Sequence, residues 1–142
     1  MDTPAPCMYC DKDARLTGLM IEICELDASL VYLFREQTYR GRCVVAYKNG
    51  HKRELFELSE EERNRFIGDV AAVASAVHRA FAPQKINYGA YGDTMPHVHF
   101  HVVPKSPGAP KWGSTFDMMP ETRVLPAPEE YEEIIREIRK YL

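Results

Sequence analysis

The stretch "MPHVHFHVVPK", Met95 to Lys105, places His97, His99 and His101 at every second position. In an extended chain successive side chains leave opposite faces, so the three imidazoles share one face while Val98, Phe100 and Val102 share the other. The apolar face can anchor the strand on a core, and the imidazole face is left for chemistry. At ~3.3 Å per residue the α-carbons of His97 and His101 stand ~13 Å apart, too far for all three rings to close on one ion. Two neighbouring rings could still share a metal. Neutral imidazoles serve as nucleophile, acid or base, and protonated ones hold phosphate oxygens. Such a row along a rigid strand suits attack on a phosphorus whose oxygens are held beside it. Polar decoration of a half-exposed strand explains a lone histidine better than three in strict alternation.

Cysteine supplies a second constellation. Cys7 and Cys10 form a C-x-x-C, which alone reads equally as a redox motif, half of a zinc site or an ordinary turn. Two thiolates fill half of a tetrahedral zinc shell, so two further ligands would be needed. His51 lies in "YKNGHKRELFEL", between a strand-like run and a helical one; His78 reads as a solvated residue or a favourable cation near a helix C-terminus. Cys24 and Cys43 sit inside apolar runs and read as buried thiols. No disulfide framework is expected, because a chain of this size makes its own core and no secretion signal is visible.

The elements that must position these groups follow from periodicity. "LMIEICEL" alternates as a strand, and "SLVYLFRE" and "RCVVAYK" are two further runs separated by "QTYRG", predicted to be antiparallel neighbours. Ser59 opens a helix with Glu62 as its capping-box partner, and Phe66, Val70, Val73, Val77 and Phe81 form a stripe ending before Pro83. "KINYGAYG" and "HVHFHVV" are predicted strands joined by "DTMP". A proline-rich loop over 104–128 carries Trp112 and Phe116, and the spacing predicts a last helix over 128–142 with Tyr131, Ile134, Ile135 and Ile138 facing inward. Trp112 is placed as an anchor of that loop, which could lie over the site, reach a partner subunit or only pack. The fold class predicted is α+β: an antiparallel sheet of about five strands, one long helix and a C-terminal helix, in a single domain over 1–142.

Composition bounds the function. With 142 residues, 45% hydrophobic and 27% charged, and a net charge of -3, the chain has no dense basic stripe for nucleic acid and no run approaching the ~18 apolar residues of a membrane span. A cytoplasmic location is expected.

Other H-x-H sites lack their partners here: a cupin-like site would want a glutamate a few residues on, and carbonic-anhydrase-like or barrel sites belong to longer chains. The pattern His-apolar-His-apolar-His-apolar-apolar is met in full by "HVHFHVV", which resembles the histidine triad (HIT) family of nucleotide hydrolases and transferases. The resemblance runs from Cys7 to Val103. It implies a nucleotide substrate cleaved at its α-phosphorus, with His99 as nucleophile and His101 holding the scissile phosphate and the bridging atom. Asn87 and Thr94 fall where the family places an amide and a hydroxyl near the phosphate. Asp93 stands where the phosphoramidase branch tends to have glutamine, which leaves the exact substrate open. By resemblance to zinc-containing relatives, Cys7, Cys10, His51 and His97 would hold a structural zinc, tying down segment 1–15, whereas resemblance to branches lacking the cysteines would make His51 a proton relay without metal; magnesium would enter only with the substrate. The resemblance also implies a homodimer, and a base slot among Leu16 to Ile23, Phe34, the "EQTYRG" link and the start of the long helix. Alternatives are nucleotidyl transfer to an acceptor other than water, and a zinc-stabilised nucleotide-binding or scaffold module.

Overall fold

A computed structural model of the protein describes residues 6–142. Runs rich in Val, Ile, Tyr and Phe pair as strands β1 (Met20–Glu25), β2 (Ser29–Phe34), β3 (Cys43–Tyr47), β4 (Lys85–Gly89) and β5 (His99–Lys105). They form one antiparallel sheet in the order β1-β2-β3-β5-β4. The triad strand is therefore interior, with Ala46 opposite His99 and Val44 opposite His101 on one side and Gly89 opposite His101 on the other.

Helices α3 (Glu60–Phe81) and α4 (Pro128–Arg139) cover one face of the sheet. Phe66, Val73 and Val77 from α3 and Ile134 and Ile138 from α4 pack there with Val31, Leu33, Val45 and Val102. Asp69, inside α3, accepts from the Ala28 amide at 2.8 Å and the Ser29 hydroxyl at 2.7 Å, fixing the β1–β2 turn against the helix. Two short helices, α1 (Met8–Asp11) and α2 (Ala14–Leu19), cover the opposite face. Met8, Tyr9, Leu16 and Met20 meet Tyr32, Phe34, Val44 and Ala46 there. Their shortness hides them from periodicity; the legible mark is Asp13, which caps α2 through the Arg15 amide.

The predicted α+β class and its two principal helices stand, with local corrections. The β1 alternation is broken by an extra residue between Glu22 and Cys24, a bulge that buries Ile23 against the helical face. The Ser59 hydroxyl accepts from the Glu62 amide, but the Glu62 carboxylate accepts from Tyr47 and Asn49, so the predicted capping box is half formed. Strand β4 ends at Gly89 and β5 begins at His99, leaving a longer link than "DTMP". Strand β5 then continues through Pro104 and Lys105, where a loop is predicted. Proline is tolerated because β3 stops pairing after Cys43–Val102. Helix α4 ends at Arg139, short of the predicted 142.

Candidate active site and metal centre

Cys7 caps the N-terminus of α1 and Cys10 sits within it, a turn closed by the left-handed Lys12. His51 follows β3 after Gly50, whose φ of 128° turns the chain in a conformation that suits glycine. His97, which the sequence places in the strand, stands instead in a bend just before β5, and its neighbourhood is fixed by the Val98 amide on the Lys52 carbonyl at 2.8 Å. These three segments bring one ligand atom from each of Cys7, Cys10, His51 and His97 within 4.8 Å of one another. His97 Nδ1 lies 3.4 Å from Cys7 Sγ, 3.5 Å from Cys10 Sγ and 3.3 Å from His51 Nδ1. Cys10 Sγ to His51 Nδ1 is 3.5 Å. Bonds of ~2.3 Å to sulfur and ~2.0 Å to nitrogen arranged tetrahedrally give edges of about 3.3–3.8 Å, so this donor set has the size of a zinc shell. The Nε2–H of His97 donates to the Tyr47 carbonyl at 2.8 Å, which orients the ring and leaves the Nδ1 lone pair facing the two thiols and His51.

The remaining two triad histidines are buried, not half exposed. His99 and His101 are 7% and 6% accessible, covered by Tyr9, Phe34 and Phe116, while Val98 and Val102 enter the core below. Nδ1–H of His99 donates to the His97 carbonyl at 2.5 Å, so Nε2 carries the lone pair. Burial lowers the His99 pKa, partly countered by that hydrogen bond. His101 is engaged in the reverse sense: its Nδ1 accepts from Nη2 of Arg42 at 3.1 Å. Burial, then the Arg42 charge, then His99 bring its pKa down to about 3. The ring at this position is therefore neutral near pH 7.

Arg42 is fully buried, and sequence reasoning missed it; at the head of a strand-like run nothing marks its side chain as turned inward. It donates to the Met118 carbonyl at 2.9 Å and stacks 4.1 Å from the Phe34 ring. Burial lowers its pKa to about 10, so it remains a cation at neutral pH.

Both rings line a cleft of about 510 Å3, within the usual range for small-molecule sites. Its walls are Met8, Tyr9, Leu19, Met20 and Phe34 on one side, and Tyr91, Thr94, Met95, Phe116 and Met118 on the other. Thr94 and Asp93 are therefore at the cleft. Asn87 is not among its lining residues: it is half-buried on β4, opposite Val103, on the sheet face shared with the triad. Leu19, Met20 and Phe34 occupy the region expected for a base slot, but the "EQTYRG" link and the start of α3 contribute nothing to it. The contribution of α1 was hidden because its length carries no periodic signal. The loop packs through Phe116, which meets Tyr39 and Val103, while Trp112 is 42% exposed and lies outside that cluster.

The chain is similar in sequence and in fold to known proteins. A sequence profile described as the HIT domain matches residues 21–108. Adenosine 5'-monophosphoramidase hnt1 of Schizosaccharomyces pombe (strain 972 / ATCC 24843) is 27% identical over 106 residues, covering 70% of this chain and 74% of that protein. A histidine triad (HIT) protein of Sinorhizobium meliloti 1021 superposes with a TM-score of 0.84 at 23% identity, covering 92% of this chain and 95% of the other. A Zn-bound histidine triad family protein of Mycobacterium smegmatis gives a TM-score of 0.63 at 23% identity, covering 94% of each chain.

Proposed function

The chain belongs to the HIT domain family, and from that premise we propose that it is a nucleotide hydrolase cleaving at the α-phosphorus of a dinucleoside polyphosphate or nucleoside phosphoramidate. The observation that carries the reading is the engagement of His99: Nδ1–H is committed to the His97 carbonyl, and the lone pair on Nε2 belongs to a ring lining the cleft. In the first step Nε2 bonds to the α-phosphorus, and the bond from phosphorus to the bridging atom breaks with its electrons leaving on the departing group, which as an oxyanion needs no proton and as an amine takes one from solvent. Water then attacks the phosphorus, its proton passes to bulk solvent, and the phosphorus–nitrogen electrons return to His99 as the lone pair on Nε2. Burial keeps the imidazole neutral near pH 7 and keeps competing water off the ring.

His101 holds the scissile phosphate from the next outward position on the same face. Thr94 offers its hydroxyl from the link before β5, and Asn87, on the triad face of β4 but outside the cleft lining, is the amide assigned to the phosphate by the family resemblance. The apolar wall of Leu19, Met20 and Phe34 takes the base.

Cys7, Cys10, His51 and His97 hold a structural zinc. Two thiolates and two imidazoles are a donor set that zinc favours, and the 3.3–3.5 Å spacings support the assignment. When bound, the metal supplies cross-linking of α1 to the start of the triad strand, and no chemical step passes through it. Its protein ligands fix His97, whose carbonyl in turn fixes the His99 ring.

The test is incubation with adenosine and guanosine polyphosphates and phosphoramidates, comparing wild type with His99→Ala and His99→Gly. Wild type releases the nucleoside monophosphate, and both variants lose it. Release surviving in His99→Ala overturns the reading.

A further inference from the structure

Arg42 carries a charge with no carboxylate within ion-pairing distance among the described residues, and its Nε has no hydrogen-bond partner. Nη1 donates to the Met118 carbonyl, and Nη2 meets both Met118 Sδ at 3.0 Å and His101 Nδ1 at 3.1 Å. The guanidinium lies against Phe34 and Phe116, with its carbon 4.1 and 5.1 Å from the two ring centres. A methionine would fill the same volume without burying a cation, so packing alone does not account for this side chain.

A guanidinium has donors and no acceptor. His101 Nδ1 must therefore present its lone pair, and the proton of the neutral ring is on Nε2. A second proton on His101 would set N–H against N–H and place two cations side by side in a buried site. We propose that Arg42 is a positioning residue that confines His101 to the neutral Nε2–H form, and that the site in consequence favours nucleotidyl leaving groups departing as stable anions, phosphates or carboxylates, over amines. The proposal rests on the hydrolase reading above and narrows its substrate class. A neutral imidazole N–H donates a hydrogen bond but does not give up its proton near pH 7. When His99 displaces a phosphate or carboxylate from phosphorus, the bond electrons leave on oxygen and no proton is required. An amine leaving from a P–N bond must take one, and His101 in this form cannot supply it. Within one strand, His99 thus offers a lone pair and His101 an N–H.

The decisive measurement is a long-range proton–nitrogen correlation spectrum of the zinc-loaded protein, labelled with 15N-histidine, at pH 7. His101 is expected as a single tautomer with Nε2 protonated and Nδ1 bare. Arg42→Met should lose that single-tautomer signature and Arg42→Lys, which restores a donor, should recover it. An Nδ1–H tautomer or an imidazolium in wild type overturns the proposal, whether or not Arg42→Met folds. In parallel, wild type should cleave a diadenosine polyphosphate at least about tenfold faster than an adenosine phosphoramidate with an alkylamine leaving group, a gap within what proton supply contributes. Equal rates overturn the leaving-group preference. Cleavage of neither substrate fails the hydrolase reading instead, while the spectra still judge Arg42.

Discussion

His99 and His101 stand two residues apart, yet one donates through Nδ1 and the other accepts there. The alternation of the three histidines was legible because strand geometry alone puts them on one face. Their different protonation patterns were not, because Arg42 reaches His101 across 59 residues of sequence and the His99 partner is a main-chain carbonyl. The burial of His101 has a measurable cost in acid. Its folded pKa is near 3, below the ordinary 6.5, so between those values the unfolded chain binds a proton that the folded chain does not. The stability this ring contributes is complete above pH 6.5 and is lost progressively as pH falls towards 3. Wild type should therefore lose about 2–4 kcal/mol more than His101→Asn in urea melts taken over that interval, the two proteins sharing all other titrating groups. Parallel pH profiles of the two would show that His101 titrates normally.

At the scale of elements, the paired strands and the two long helices were readable because alternation and the three-to-four-residue stripe extend over enough residues. The errors lie where a local event breaks the period: the bulge at Ile23, the prolongation of β5 through Pro104, and the one-turn helix α1. That helix matters most, since it brings two thiols to His51 and His97 and sets Tyr9 5.0 Å from the His99 ring. If zinc ties it down, protein purified without chelator contains about one zinc per chain. Cys7→Ala should then lose the metal and melt about 10 °C lower, since metal binding is coupled to folding. Absence of stoichiometric zinc, with unchanged melting of Cys7→Ala, removes the metal from the account.

The whole molecule places its two chemistries on the sheet face opposite the helical core, with the cysteine–histidine cluster at one end of the triad and the cleft at the other. That division could be anticipated from the family resemblance, but not the cleft's walls, which come from segments distant in sequence. A homodimer is expected on the same resemblance. Strand β4 is an edge of the sheet, with Tyr88 54% exposed on it, and an open edge carrying an aromatic is a surface suited to pairing. Light scattering should give twice the 16.3 kDa chain mass, and Tyr88→Lys should shift it towards one. No helix among the described residues is long and apolar enough to cross a membrane. Covalent catalysis at His99 can be caught by acid quenching during turnover of a diadenosine polyphosphate followed by peptide mass spectrometry. An adenylate is expected on the peptide containing His99, absent from His99→Ala. Turnover in wild type with no adduct on that histidine, or with the nucleotide on His101, would contradict it.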